Sequence, residues 1–258
     1  MFTFTEYRGV YFESLPVETR KEFLRYRFSV ESLPSVNKTE LNNIFDRLNR
    51  NVKKLTPQEL RHAKFDGMFI TTVERLSEWL PDQLGGQFPR IAAMSRRQMK
   101  DDEIVAMLLL LLEEGPKSYS TAAFDAAFAQ RDESWDRGPK IDDEFRETVQ
   151  YLKEVIATPG GQNVPATRLR NQADFYSLFG AVFELRRESS LPQPDEVGTR
   201  LQNFTDSLEI GTGFGERESE YLEAARSASN DAGPRKVRIG VMRDVILGNP
   251  LVDDDDPG

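Results

Sequence analysis

Hydrophobic residues recur at helical spacing along most of this chain. The clearest early stripe has its members three and four positions apart: Leu41, Ile44, Phe45 and Leu48. The run AMLLLLL at 106–112 is wider than a single stripe, which predicts a central, buried helix. The spacing continues into RKVRIGVMRDVIL at 235–247, where the interior Gly240 leaves both a helix and a strand open. The pattern therefore predicts a protein built mostly of helices.

The first thirty residues show a shorter period. Phe2, Phe4 and the segment Gly9–Phe12 predict short strands, and Tyr26–Val30, YRFSV, alternates as a half-buried strand does. Between them, Val17–Arg25 follows a proline and predicts a helix. The predicted fold class is α+β and mostly helical, with a small mixed N-terminal part followed by an α-helical domain.

A second helix has a well-marked start at Thr56. Thr56 is the expected N-cap, Pro57 takes the first helical position and Glu59 is the partner in a capping box. Gly67 is expected to end this helix.

Composition and charge narrow the class of protein. The 258 residues carry a net charge of −9, but residues 1–82 carry +1 and the remainder −10, so an anion-binding surface is expected in the first third. The absence of cysteine excludes disulfides, thiolate metal sites and cysteine nucleophiles. No secretory signal is visible, and no apolar run approaches the roughly 20 residues that span a bilayer. We expect a cytoplasmic protein without a membrane partner.

Five polar residues are the candidates for binding a nucleotide or a DNA phosphate: Arg47, Asn49, Gln58, Glu59 and Arg61. Arginine binds phosphate through a two-pronged fork, and amide side chains can orient it. The structural alternative is that Asn49 caps a turn, Glu59 closes the capping box and the two arginines form ion pairs between helices. No catalytic residue and no metal ligand is predicted, and a single histidine excludes sites that need two.

A second basic cluster lies near the C-terminus, and it also has two interpretations. Its members are Arg235, Lys236, Arg238 and Arg243. They could contact phosphate. The alternative, which we favour from the sequence, is a helix face paired with the many acidic residues of the chain.

Two segments carry a resemblance to a known family. IFDRLN at Ile44–Asn49 and LTPQELRHAKFDGMF at Leu55–Phe69 resemble a signature in the N-terminal domain family of GmrSD-type modification-dependent restriction endonucleases. Members of that family resemble ParB and sulfiredoxin in fold, and they bind or hydrolyse nucleotides. More loosely, residues 12–30 and 173–185 resemble other parts of that family. Residues 221–247 are similar to its terminal Y-x-x-A … R-x-x-R segment.

The sequence departs from that family in one important respect. The family's D-G-Q-Q-R motif, to which nucleotide chemistry is attributed, has no counterpart in this chain, and no HNH-type nuclease segment is recognised. The missing half is expected on a separate polypeptide, or the gene is truncated. The resemblance implies a partial ParB-like region at 1–82, the helical period predicts a helical domain at 83–252, and the terminal run of aspartates predicts a disordered acidic tail at 253–258.

The function implied by the resemblance is a component of a GmrSD-type restriction or phage-defence system. The chain would contribute part of a nucleotide- or DNA-phosphate-binding site, and a partner would carry the D-G-Q-Q-R half or a nuclease domain. A complete complex would act as an NTP-dependent restriction endonuclease with a nucleoside triphosphate and Mg²⁺, whereas this chain is not expected to be active alone. The alternative is a non-enzymatic helical protein-interaction module or a truncated remnant.

Overall fold

The structure is a computed structural model that describes residues 11–27, 40–41, 44, 56–96, 99–210, 215–226 and 230–249. Contacts between Cα atoms divide the chain into two compact units, Met1–Val52 and Lys53–Gly258. The α-helices that the structure gives with full bounds are α1 (Val17–Arg25), α2 (Pro57–Lys64), α3 (Met68–Leu84), α4 (Ala93–Arg96), α5 (Lys100–Glu114), α6 (Thr121–Gln130), α7 (Gly138–Ala157), α8 (Gln172–Arg187), α9 (Pro194–Ile210), α10 (Glu216–Arg226) and α11 (Ala232–Leu247). Short 3-10 turns lie at Phe12–Ser14, Val164–Ala166 and Arg168–Arg170.

In the unit Met1–Val52, the predicted helix at Val17–Arg25 is confirmed as α1. Its Phe23 ring packs 5.5 Å from the ring of Phe12. The described residues contain no strand, and Phe12 lies in a 3-10 turn where the end of a strand was predicted. The predictions at Phe2 and Phe4 fall outside the described residues, as does most of Tyr26–Val30. A mixed N-terminal part therefore stays a prediction, whereas the helical class is shown.

The unit Lys53–Gly258 is organised around α5. This helix packs against α3, α7 and α8, and Leu108, Leu109 and Leu110 are completely buried. The prediction of a central, buried helix at this run is confirmed. A helix with neighbours on several sides needs apolar side chains all round, which explains why the run is wider than one stripe.

The C-terminal part of this unit is also built of helices that pack against one another. α11 packs along α8 and also against α9 and α10, which settles the segment 235–247 as helical. Gly240 lies inside α11 without breaking it, and a Cβ atom there would meet nothing within 4 Å. None of the helices that the structure describes is both long and apolar enough to cross a membrane.

The boundary between the two units falls earlier than the predicted division at 82/83. Helix α3 runs through that position and ends at Leu84, and its C-cap Gly85 has a φ of +81°, a positive value that glycine adopts readily. Phe88 follows as a buried residue and packs edge-on against Phe175, 5.1 Å between ring centroids. The segment after α3 is therefore packed into the core of the second unit. The assignment of 1–82 to a ParB-like region stays a prediction.

Candidate functional site

A pocket of about 440 Å³ lies within the unit Lys53–Gly258. Its wall combines basic, amide, hydroxyl and aromatic side chains. The lining residues are Thr56, Pro57, Gln58, Arg61, Lys100, Glu103, Met107, Tyr119, Ser120, Thr121, Phe124, Gln172, Ala173, Tyr176, Asn230, Arg235 and Arg238. Clefts that bind small ligands have volumes of roughly 300–1,000 Å³, so the pocket is of the size that holds one.

The beginnings of several helices converge on this pocket. The first turns of α2, α5, α6 and α8 contribute lining residues, and α11 contributes two arginines from its first two turns. The first N–H groups of a helix have no intrahelical partner and carry the positive end of the helix dipole. Several such ends around one cavity favour an anion there.

The start of α2 is fixed by the capping box that the sequence predicts. The Thr56 hydroxyl accepts from the backbone N–H of Glu59 at 3.2 Å, and the Glu59 carboxylate accepts from the N–H of Thr56 at 2.7 Å. Within this first turn, Gln58 lies in the wall of the pocket, where only 1% of it is exposed. Gly67 does not end this helix: α2 stops at Lys64, and Gly67 is the N-cap of α3.

Arg61 lies one turn further along α2 and is almost fully buried. Its Nε donates to the carboxylate of Asp125 at 2.6 Å, and its guanidinium lies 4.5 Å from the centre of the Phe124 ring. Its Nη1 donates to Oε1 of Gln58 at 3.1 Å. Asp125 and Gln58 therefore both hold the Arg61 fork, and its charge has a carboxylate partner.

The Gln58 amide is only half satisfied. A guanidinium group can only donate hydrogen bonds, so the contact with Arg61 fixes the amide oxygen toward the arginine and the amide nitrogen away from it. That nitrogen, Nε2, is buried and has no acceptor among the described protein groups. A buried donor without an acceptor costs roughly 1–3 kcal/mol, so an acceptor oxygen from a ligand or from water would relieve this cost.

Arg235 supplies positive charge from a distant part of the chain. It is 4% exposed, its Nη1 donates to the carbonyl oxygen of Lys117, and its Nη2 lies 3.5 Å from the sulfur of Met107. The guanidinium carbon stacks 4.4 Å from the centre of the Tyr176 ring. Among the residues that the structure describes, no carboxylate lies within ion-pairing distance of Arg235. This charge is therefore unlike that of Arg61.

Arg238 is tied into a buried network beneath the pocket. Its Nε donates to the Ser177 hydroxyl at 3.0 Å and its Nη1 to the carbonyl oxygen of Ala224 at 2.6 Å. Nearby, the Tyr221 hydroxyl donates to Asp174 at 2.7 Å, and Asp174 also contacts Arg168. Burial lowers the pKa of Arg238 and raises that of Tyr221. This network joins α8, α10 and α11.

The remaining charges and hydroxyls of the pocket are consistent with a donor-rich site. Lys100 pairs with Glu103 at 2.6 Å, so its charge, like that of Arg61, has a carboxylate partner. Burial raises the pKa of Tyr176, and Arg235 opposes that shift through its charge and a hydrogen bond. Burial together with Glu114 raises the pKa of Tyr119. Both tyrosines therefore stay protonated at neutral pH, and the Tyr119 hydroxyl already donates its hydrogen to Glu114 at 2.9 Å.

The structure brings together only part of the predicted candidate set. Gln58 and Arg61 line the pocket, and Glu59 is engaged in the capping box. Arg47 and Asn49 lie outside the described residues. Of the C-terminal basic cluster, Arg243 pairs with Glu184 and Glu188, as the helix-face interpretation expects.

The other arginines of that cluster, Arg235 and Arg238, line the pocket instead. Sequence reasoning placed them among paired surface charges, although the R-x-x-R spacing was a usable signal. Tyr176 and Gln172 carried no signal in the sequence, because their place in the wall depends on how α8 packs. Within the described part of the chain, no group of three metal-binding side chains is close enough to hold an ion.

Comparison with known proteins adds no relative to this description. No family model matches the chain, and neither a curated protein nor a solved structure gives a significant match. The likeness to the GmrSD-type family therefore depends on the residues of the signature and the terminal segment, and it stays a prediction.

Proposed function

We propose that this chain supplies a phosphate-binding pocket to a GmrSD-like restriction or phage-defence system. The ligand would be the phosphate of a nucleotide or of DNA, and a partner carrying the D-G-Q-Q-R half would complete the site. The observation that carries the proposal is the joint placement of Gln58 and Arg235 in one pocket. The first belongs to the Q-E-L-R segment and the second to the R-x-x-R segment.

The charge state of the pocket supports an anionic ligand. Arg61 and Lys100 each have a carboxylate partner, whereas Arg235 is buried without one among the described residues. A buried charge that lacks a partner is unfavourable, and a bound phosphate would compensate it. The convergent helix starts and the unmatched donor of Gln58 also favour the binding of an anion.

Calorimetry on the chain alone and with a D-G-Q-Q-R protein from the same system tests the proposal. Inorganic phosphate is expected to bind the chain alone, and a nucleoside triphosphate with Mg²⁺ is expected to bind only when the partner is present. Mg²⁺ would arrive with the nucleotide, because this metal usually binds through substrate phosphates and few protein ligands. If neither anion binds in either condition, the proposal is wrong.

A matched pair of variants on α11 identifies the charge responsible. Arg235→Ala is expected to weaken phosphate binding by about tenfold or more, since a charged hydrogen bond contributes about 1.5–3 kcal/mol. Arg243→Ala, on the same helix, removes a cation already held by Glu184 and Glu188 and should change the affinity by less than about twofold. Arg235→Lys, with Tm measured for all three, separates lost binding from lost folding.

The second candidate function is a non-enzymatic interaction module, and the network around Asp174 favours it. Tyr221, Ala224 and Arg238 of the Y-x-x-A … R-x-x-R segment are engaged in hydrogen bonds that hold α10 and α11 to α8. In that case the segment serves stability alone. Loss of phage protection in Arg235→Lys at an unchanged Tm would favour the binding site, whereas loss of protection only together with Tm would favour the scaffold.

A further inference from the structure

Within the proposed phosphate pocket, Gln58 and Arg61 have different tasks. The Arg61 fork is occupied by Asp125 at 2.6 Å and by the Gln58 oxygen at 3.1 Å, and its face is stacked on Phe124. These hydrogen bonds use two of the five N–H groups of Arg61, and its charge is already paired with Asp125. Gln58, in contrast, has a buried amide nitrogen with no acceptor among the described protein groups. The charge of Arg61 thus has a partner, whereas the amide nitrogen of Gln58 has no acceptor among the described protein groups.

We propose that Gln58 donates a hydrogen bond from its amide nitrogen to the anion, and that Arg61 is a positioning residue that sets the orientation of the Gln58 amide. This inference rests on the proposed phosphate-binding function of the pocket. Because Arg61 can only donate, it holds the amide oxygen toward itself and leaves Nε2 to donate to a ligand. Asp125 keeps Arg61 in place, which makes the orientation independent of the ligand.

The chemical consequence is a preference for ligand oxygens that accept a hydrogen bond. An amide N–H binds any oxyanion oxygen with a free lone pair, so the wild-type pocket takes both sulfate, which carries no proton at neutral pH, and phosphate. A carboxylate at the same position could only accept. It would repel sulfate and tolerate hydrogen phosphate, which can donate its P–OH hydrogen.

Calorimetric titration of the full chain with inorganic phosphate and with sodium sulfate tests the role of Gln58. The wild type is expected to bind both anions. Gln58→Glu is nearly identical in shape to the wild type. Its affinity for sulfate is expected to fall by at least about tenfold more than its affinity for phosphate, because only hydrogen phosphate can donate a hydrogen bond to the carboxylate. Gln58→Met removes the donor without adding charge, and it should weaken both anions about equally.

The positioning role of Arg61 is tested by a double-mutant cycle. Arg61→Lys keeps the charge but cannot hold Asp125 and the Gln58 oxygen with one fork, so it should weaken both anions several-fold. If Arg61 acts only through Gln58, the same substitution in a Gln58→Met background should have no further effect. Arg75→Lys, at an exposed ion pair with Asp142 outside the pocket, is the matched control and should leave both affinities unchanged.

The outcomes separate this inference from the proposed function. If the folded wild type binds neither anion, the phosphate-binding function fails and this assignment fails with it. If the wild type binds both and Gln58→Glu binds sulfate as well as the wild type does, the role of Gln58 is overturned while the pocket stands. An equal effect of Arg61→Lys in both backgrounds would show that Arg61 contacts the anion itself and would overturn its positioning role.

Discussion

At the scale of single residues, residue type does not decide what a polar side chain does in this protein. Arg61, Arg235 and Arg238 all line one pocket, yet the first is paired with a carboxylate, the second has no such partner among the described residues and the third binds Ser177 and a backbone carbonyl. From the sequence, Arg61 was a candidate for binding phosphate, whereas Arg235 and Arg238 were expected to be paired charges on a helix face. Burial and partners distinguish them: we propose a positioning role for Arg61 and anion binding for Arg235, and Arg238 belongs to a buried hydrogen-bond network.

Asp102 gives a prediction at this scale that does not depend on any ligand. It is buried in the first turn of α5 beside the hydroxyl of Ser77. Burial raises the pKa of its carboxyl group above the usual value, although the contact with Ser77 acts in the opposite direction. The charged form is therefore less favourable in the folded state than in the unfolded state.

The unfolding free energy of Asp102→Asn, relative to that of the wild type, should therefore be higher at neutral pH than in acid. A group with a raised folded-state pKa contributes its stability below the unfolded value of 3.8, and that contribution is lost as the pH rises through the folded-state pKa. Asparagine does not titrate, so position 102 of the variant loses no stability as the pH rises. Urea denaturation of both proteins across this range is expected to show the difference in unfolding free energy moving in favour of the variant as the pH rises. A difference that is constant with pH would contradict this prediction.

At the scale of elements, the sequence predicts helices well where local signals coincide. The capping box at Thr56 and Glu59 and the buried run at 106–112 both appear as predicted. Gly67 shows why local signals can fail, because it was expected to end α2 and instead begins α3. Its backbone N–H donates to the Asp132 carboxylate at 2.9 Å, a partner 65 residues away. No local pattern reports such a contact.

Gly67→Ala is expected to destabilise the protein for the same reason. A Cβ atom at this position would lie 1.8 Å from the backbone oxygen of Asp132, which cannot move as a flexible side chain can. Forcing a methyl group into such a contact should cost about 2 kcal/mol or more. Chemical denaturation measures the loss.

A glycine in an open helix position provides the matched control. Gly240 lies inside α11, and an added Cβ atom there meets nothing within 4 Å. Gly240→Ala should therefore stabilise the protein by about 0.5–1 kcal/mol, because alanine has the higher helix propensity. Equal effects of the two substitutions would show that the close approach to Asp132 is not what selects glycine at position 67.

At the scale of the whole molecule, the helical class was predictable and the pocket was not. Helical periodicity depends on residues that are close along the chain, so it can be recognised in the sequence. The pocket joins Gln58 in α2 to Arg235 in α11, and no spacing rule relates residues so distant along the chain. The family resemblance named both segments without indicating that they meet. The meeting of the two segments depends on the packing of α11 along α8 and of α2 against α5 and α6.

The division of the chain into two units leads to a prediction about which part of the chain binds phosphate. Every residue that lines the pocket belongs to the unit Lys53–Gly258, whereas the candidates Arg47 and Asn49 belong to the other unit. A fragment of residues 53–258 is therefore expected to fold and to bind inorganic phosphate with an affinity within about threefold of the full chain, a difference of roughly 0.6 kcal/mol. Calorimetry and thermal unfolding of both proteins measure this.

The double variant Arg47→Ala, Asn49→Ala in the full chain is the control for the fragment. If the pocket binds phosphate with its own residues, the double variant also keeps that affinity, because none of its lining side chains has changed. A fragment that unfolds cooperatively but no longer binds phosphate would contradict the prediction. A parallel loss in the double variant would then attribute the lost affinity to Arg47 and Asn49.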